Sequence, residues 1–146
     1  MRQAWACSLQ VVYCVGESKE QRDDEKSEQV IEKQLQSLKQ FGSDLDFTRT
    51  VIVYEPVWAL CNSIASADQT QDECKFIRDW IKIQYGHHAA NQVRIVFGGP
   101  VTETNLKNFI KLPDIDGFLI GTMSLLDTFP KLISLADQHA QTEFWI

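Results

Sequence analysis

Four short runs of β-favouring residues, Leu9–Val15, Val51–Tyr54, Val93–Phe97 and Asp116–Gly121, do most to limit what this chain can fold into. They are too apolar to show one face to water, which marks strands covered on both sides. The segments between them carry helical spacing. From Glu28 to Phe41 the apolar residues Val30, Ile31, Leu35, Leu38 and Phe41 recur at that period, and Gly42-Ser43-Asp44 ends the helix. From Asp72 to Tyr85 the residues Cys74, Ile77, Trp80 or Ile81, and Tyr85 predict a second, closed by Gly86. Thr102 caps a third that carries Leu106, Phe109 and Ile110. Leu125, Phe129, Leu132, Ile133 and Ala136 predict a last one, with Pro130 confined to its first turn. Glu17 to Glu28 reads as a charged connection, Cys61 to Thr70 as a long loop, and Gln141 to Ile146 as a frayed tail apart from Phe144 and Trp145. A β–α unit repeated four times predicts a parallel sheet with helical crossovers. Such a sheet is either a small open α/β sheet or part of an eight-fold barrel, and spacing alone does not separate the two.

The 146 residues predict one domain, 1–146. A formal net charge of −6 and a pI near 5.0 argue against the basic stripe that nucleic acid requires. No stretch approaches the roughly 20 apolar residues of a membrane span. The opening Met1-Arg2 and Ala4-Trp5-Ala6-Cys7 hint at a signal peptide, but Ser8 and Gln10 interrupt the apolar run and the chain continues as a strand. Cys7, Cys14, Cys61 and Cys74 lack CxxC spacing, so free thiols in a reducing compartment are expected, with no zinc site. His87 and His88 are adjacent rather than four apart and read as a solvated helix end.

In either architecture the chemistry belongs at the carboxyl ends of the strands. There the second run delivers Glu55 and stops at Pro56, which cannot continue a ladder. A carboxylate beside Tyr54 and Trp58 in apolar surroundings suits a general base, with a strand-end ion pair as the plainer alternative. Gly98-Gly99 and Gly121-Thr122, each opening a helix, are expected to cradle an anion, since backbone N–H groups and a helix N-terminus converge there.

Tyr54-Glu55-Pro56-Val57-Trp58-Ala59, Tyr13-Cys14-Val15-Gly16-Glu17, Arg94-Ile95-Val96-Phe97-Gly98-Gly99 and Asp114–Gly121 resemble, in order and spacing, the C-terminal part of triosephosphate isomerase. The resemblance runs from the start of the chain to about Ile133. It implies the last four units of a TIM (β/α)8 barrel. It further implies that Glu55 moves a proton between two carbons of a triose phosphate, interconverting dihydroxyacetone phosphate and glyceraldehyde 3-phosphate in glycolysis and gluconeogenesis. By the same resemblance Cys14 lies behind the base, Pro56, Val57 and Trp58 form the N-terminal hinge of a lid, and Glu17 and Arg22 support that hinge. Cys61, Gly99, Pro100, Gly121 and Thr122 fall where the substrate phosphate is held. It implies no cofactor and no metal, and a cytoplasmic setting.

Several positions depart from the family. This sequence enters within the helix before the family's fifth strand, so the first four units are not in it, nor are the lysine and the electrophilic histidine they carry. Loss of a positioned acid or electrophile typically lowers a rate by about 10²–10⁴. Cys61-Asn62-Ser63-Ile64-Ala65-Ser66 replaces a glycine-rich lid tip, Phe97 a tyrosine that latches the lid, and Thr122 a glycine of the last phosphate loop. Pro100 stands for a serine whose N–H binds phosphate, and proline has none to give; such a charged bond is worth about 1.5–3 kcal/mol.

Three expectations follow. The first is an isomerase chain that is inactive or severely impaired alone. The second is a non-catalytic paralogue serving as a binding or assembly module. The third is an enzyme using Glu55 on an unphosphorylated carbonyl compound. Open parallel edges further predict a homo-oligomer or pairing with a complementing N-terminal half.

Overall fold

The computed structural model of the protein describes residues 1–60 and 65–143. Strands β1 (Val11–Val15), β2 (Thr50–Tyr54), β3 (Arg94–Phe97) and β4 (Gly117–Phe118) form one parallel sheet in the order β1-β2-β3-β4. Val15 lies opposite Tyr54, Tyr54 opposite Phe97, and Phe97 opposite Phe118. This order decides between the two architectures left open above. A doubly wound sheet reverses its strand order at a switch point. Here the order follows the chain, and right-handed crossovers then place every helix on the same face. That is the arrangement of part of a (β/α)8 barrel, as the resemblance implies.

The helices are α1 (Arg2–Ala6), α2 (Lys19–Asp23), α3 (Ser27–Gln36), α4 (Ala67–Gln92), α5 (Leu106–Phe109) and α6 (Phe129–Glu143). Ile31 and Leu35 of α3, with Leu38 just beyond it, are fully buried at helical spacing. Cys74, Ile77 and Ile81 of α4 do the same. Both stripes face Val15, Ile52, Tyr54, Ile95 and Phe97 of the sheet to form the core. Side chains alternate along a strand. Val12 and Cys14 therefore point to the other face, where both are exposed.

Local chemistry explains where the elements differ from expectation. The charged connection after Glu17 contains α2, because Ser18 and Gln21 form a reciprocal capping box. The helix expected to reach Phe41 ends at Gln36 and tightens into a 3₁₀ stretch, Ser37–Asp44, with Gly42 at φ 53°. A second capping box, Ser66 with Gln69, starts α4 inside the expected loop, and a 3₁₀ turn, Val57–Leu60, precedes that loop. Residues 61–64 of the loop lie outside the described residues. Gly86, at φ 89°, does break α4 after Tyr85, but the helix resumes and reaches Gln92 with His87 and His88 exposed. Of the fourth run, Gly117 and Phe118 form strand, flanked by bonds to β3 from the Asp116 N–H to the Ile95 carbonyl at 2.7 Å and from the Leu119 N–H to the Phe97 carbonyl at 2.9 Å. Helix α6 is described as far as Glu143, into the tail expected to be frayed, and the rest of that tail, 144–146, lies outside the described residues.

Candidate functional site

Glu55 follows directly on β2, and its N–H bonds the Val15 carbonyl at 2.8 Å. The next strand repeats the pattern, with the Gly98 N–H on the Tyr54 carbonyl at 2.8 Å. These links fix Glu55 between its neighbouring strand ends. Its carboxyl is half-buried at the wall of a cavity of about 380 Å³. Gly98, Gly99, Pro100, Gly121 and Thr122 line that cavity with it. The structure thus brings together Glu55, the expected base, and four of the five residues expected at the phosphate. Cys61, the fifth, lies outside the described residues. Among the described residues that line the cavity there is no Lys, Arg or His.

Two glycines let the strand ends approach. A Cβ on Gly16 would lie 1.9 Å from the backbone oxygen of Glu55, and one on Gly98 would lie 2.7 Å from Val53 Cγ1. The clash at Gly16 is with backbone, which has little room to yield. Gly16→Ala is therefore expected to lower the unfolding free energy by about 3 kcal/mol, the upper part of the range for overpacked sites. Urea denaturation checks this, and a loss within about 0.5 kcal/mol, the range of neutral surface changes, would contradict the tight approach.

Cys14 projects on the same face as Glu55, with its thiol near the Glu55 carboxyl. Partial desolvation, then the charge of Glu55, hold that thiol above its usual range. The aromatic residues flanking Glu55 are turned elsewhere, which corrects the reading that they surround the base. Tyr54 and Glu55 are successive residues, so they leave β2 on opposite faces. The Tyr54 hydroxyl donates to Glu17 Oε1 at 3.1 Å, and the Trp58 indole N–H donates to the same oxygen at 2.8 Å. Arg22 Nη1 is the third donor to it, at 2.8 Å, and the guanidinium lies over the Trp58 ring, 5.1 Å from its centroid. Glu17 itself is fully buried, and its backbone carbonyl accepts from the Val57 N–H at 3.1 Å. One buried carboxylate thereby holds Val57 by its main chain and Trp58 by its side chain. The residues expected at the lid hinge, Pro56, Val57, Trp58, Glu17 and Arg22, are brought together.

Two members of this cluster escape the sequence reading, Tyr54 and Glu73. Tyr54 is marked by period-two alternation, which sends it away from Glu55. Glu73 stands on the buried stripe of α4 between Thr70, Cys74 and Ile77, and a carboxylate there signals a buried cation partner. That partner is Arg22, whose Nη1 lies 3.4 Å from Glu73 Oε1.

Among the described residues no group of three or more His, Cys, Asp or Glu is placed to hold a metal ion, and no helix is long and apolar enough to cross a membrane. The family model described as triosephosphate isomerase matches residues 1–136. The chain is 39% identical over 127 residues to a triosephosphate isomerase of Emericella nidulans, covering 86% of this chain and 51% of that protein. It is 37% identical over 132 residues to a glycosomal triosephosphate isomerase of Trypanosoma cruzi, covering 90% of this chain and 53% of that protein. It is 36% identical over 137 residues to a cytosolic one of Gracilaria gracilis, covering 91% and 54%. The chain spans about half the length of the curated relatives it matches. With the matched residues running through all four strands, the chain belongs to the triosephosphate isomerase family.

Proposed function

We propose that Glu55 is the proton-transfer base of a triose phosphate isomerase site to which this chain contributes one part. The observation that carries this reading is the position of Glu55, at a strand end on the wall of a cavity shared with two glycine-containing exits. A half-buried carboxylate with an open cavity in front of it is placed to take a proton from a carbon acid. Behind it Cys14 fixes the carboxyl. Pro56, Val57 and Trp58 act as the hinge of a lid, held by Glu17 and Arg22. Gly99, Gly121 and Thr122, with Cys61, supply backbone contacts to the phosphate, weakened at Pro100 for want of an N–H. A dianionic phosphate beside Glu55 needs positive charge, and the described lining of the cavity holds none. The chain alone therefore isomerises triose phosphate no faster than background. Activity requires a complementing N-terminal half, which pairs with the open edges β1 and β4 and works in the cytosol.

The test is an isomerase assay of the purified chain, alone and co-expressed with the N-terminal half of a relative. Turnover is expected in the second preparation and not in the first. Turnover by the chain alone that disappears in Glu55→Gln would overturn the claim of dependence. The missing cation and the missing N–H at Pro100 also favour a second reading, a non-catalytic binding or assembly module. A completed, folded barrel without turnover would select it.

A further inference from the structure

On the far side of the sheet from the cavity just described, Arg22, Trp58 and Glu73 line a larger one of about 710 Å³. At its inner wall a single guanidinium serves two buried carboxyls. Arg22 Nη1 is 2.8 Å from Glu17 and 3.4 Å from Glu73, with Ser27 Oγ at 3.5 Å. The two carboxyls are not equally provided for. Glu17 Oε1 has three donors, whereas Glu73 Oε1 has only the long contact from Arg22; the other oxygen of each carboxyl, Oε2, has no partner among the described residues. A buried carboxylate so poorly solvated costs less as a neutral acid.

We propose that Glu73 is a positioning residue of the hinge: as an acid it leaves Arg22 to Glu17 and Trp58, and on ionising it draws Arg22 away and loosens Trp58. The groups that face it agree with this assignment. Glu17 beyond β1 and Glu28 of α3 add negative charge, Arg22 of α2 is the cation in contact, and Tyr54 of β2 and Ser27 of α3 are neutral. Asp23 and Glu25 farther out on the cavity wall outweigh Lys19. Burial first and then the Glu17 carboxylate push the Glu73 carboxyl up to about 7, against the pull of Arg22. The folded chain therefore keeps a proton that the unfolded chain gives up in the ordinary carboxylate range. The stability this proton confers is complete below that range and is lost as pH rises through about 7.

The functional sense of this device rests on the reading of Pro56–Trp58 as a hinge; the titration itself does not. The experiment is an NMR titration of the whole chain, labelled at glutamate side-chain carboxyls and tryptophan indole nitrogens, with Glu73→Gln and Trp58→Phe for assignment. One carboxyl is expected to titrate near pH 7 and to be missing from Glu73→Gln. The Trp58 indole N–H should shift with the same midpoint in the unmodified chain and hold its low-pH position throughout in Glu73→Gln. Should Glu73→Gln not fold, Glu73→Met serves both purposes. Titration of Glu73 in the ordinary carboxylate range, or a Trp58 signal that stays still while Glu73 ionises, would overturn the proposal. A coupled titration in a chain whose completed barrel lacks turnover would leave this device standing and defeat the catalytic reading alone.

Discussion

In a barrel completed by the N-terminal half of a relative, Glu55→Gln is expected to lower kcat for triose phosphate isomerisation by about 10²–10⁴. That corresponds to about 3–5 kcal/mol in the barrier. The substitution keeps size and shape and leaves the backbone bond to the Val15 carbonyl untouched, so the strand end is expected to stay in place. What it removes is the capacity to take a proton. KM should change little, because Glu55 carries the same charge sign as the phosphate and does not bind it. An unfolding midpoint equal to that of the unmodified chain is the control for structure. A loss of less than about tenfold would show that proton transfer runs through some other group.

Position along β2 explains how much of this site is legible in the sequence and where legibility stops. The run Val51–Tyr54 ending at Pro56 identifies a strand that must leave the sheet with Glu55 at its rim, and the structure places Glu55 there. The exit at Gly98 follows the same logic, since a Cβ there would meet Val53 Cγ1 at 2.7 Å, whereas at Gly121 a Cβ would meet nothing within 4 Å. The hinge cluster is legible only in its parts. Glu17, Arg22 and Trp58 are marked by their family pattern, but their convergence on one oxygen depends on β1 and β2 being neighbours, which spacing alone leaves open. Glu73 is the case in which local signals conflict. Its helix phase is apolar and its side chain is charged, and tertiary contact with Arg22 is what reconciles the two. Residues 17–28 fail in a different way. Their charge suggests a connection, yet the capping box at Ser18 supplies enough local hydrogen bonding to turn five of them into α2.

The same dependence on distant contacts governs β4. Arg78 of α4 uses its whole guanidinium on the segment that precedes this strand and on the end of its own helix. Nε donates to Asp114 Oδ1 at 2.8 Å, and Nη2 donates to Asp116 Oδ2 at 2.8 Å and to the Asp114 carbonyl at 3.2 Å. Nη1 reaches the carbonyls of Ala90, at 2.9 Å, and Val93, at 3.4 Å. Asp116 Oδ2 in turn accepts from the Ile95 N–H at 2.7 Å, so the network ends on β3 itself. Strand β4 has two residues of its own, and cross-strand pairing over so short a length contributes little. Its place beside β3 therefore depends on Arg78, and with it the position of Gly121 and Thr122 at the candidate site. Arg78→Met, which keeps the stem and removes the charge, leaves two partly buried aspartates without their cation and takes a donor from three carbonyls. The expected cost is about 3–5 kcal/mol in unfolding free energy, the range for breaking one side of a buried ion pair. Arg78→Lys restores the charge without the planar fork and should recover part of that loss. Urea denaturation measures both variants, and hydrogen exchange at the Leu119 amide, which bonds the Phe97 carbonyl at 2.9 Å, reports β4 directly. Protection there should fall in Arg78→Met by more than global stability does. A variant that loses less than about 1 kcal/mol, the scale of a surface pair, and keeps Leu119 protected would show that β4 is held by its strand pairing instead.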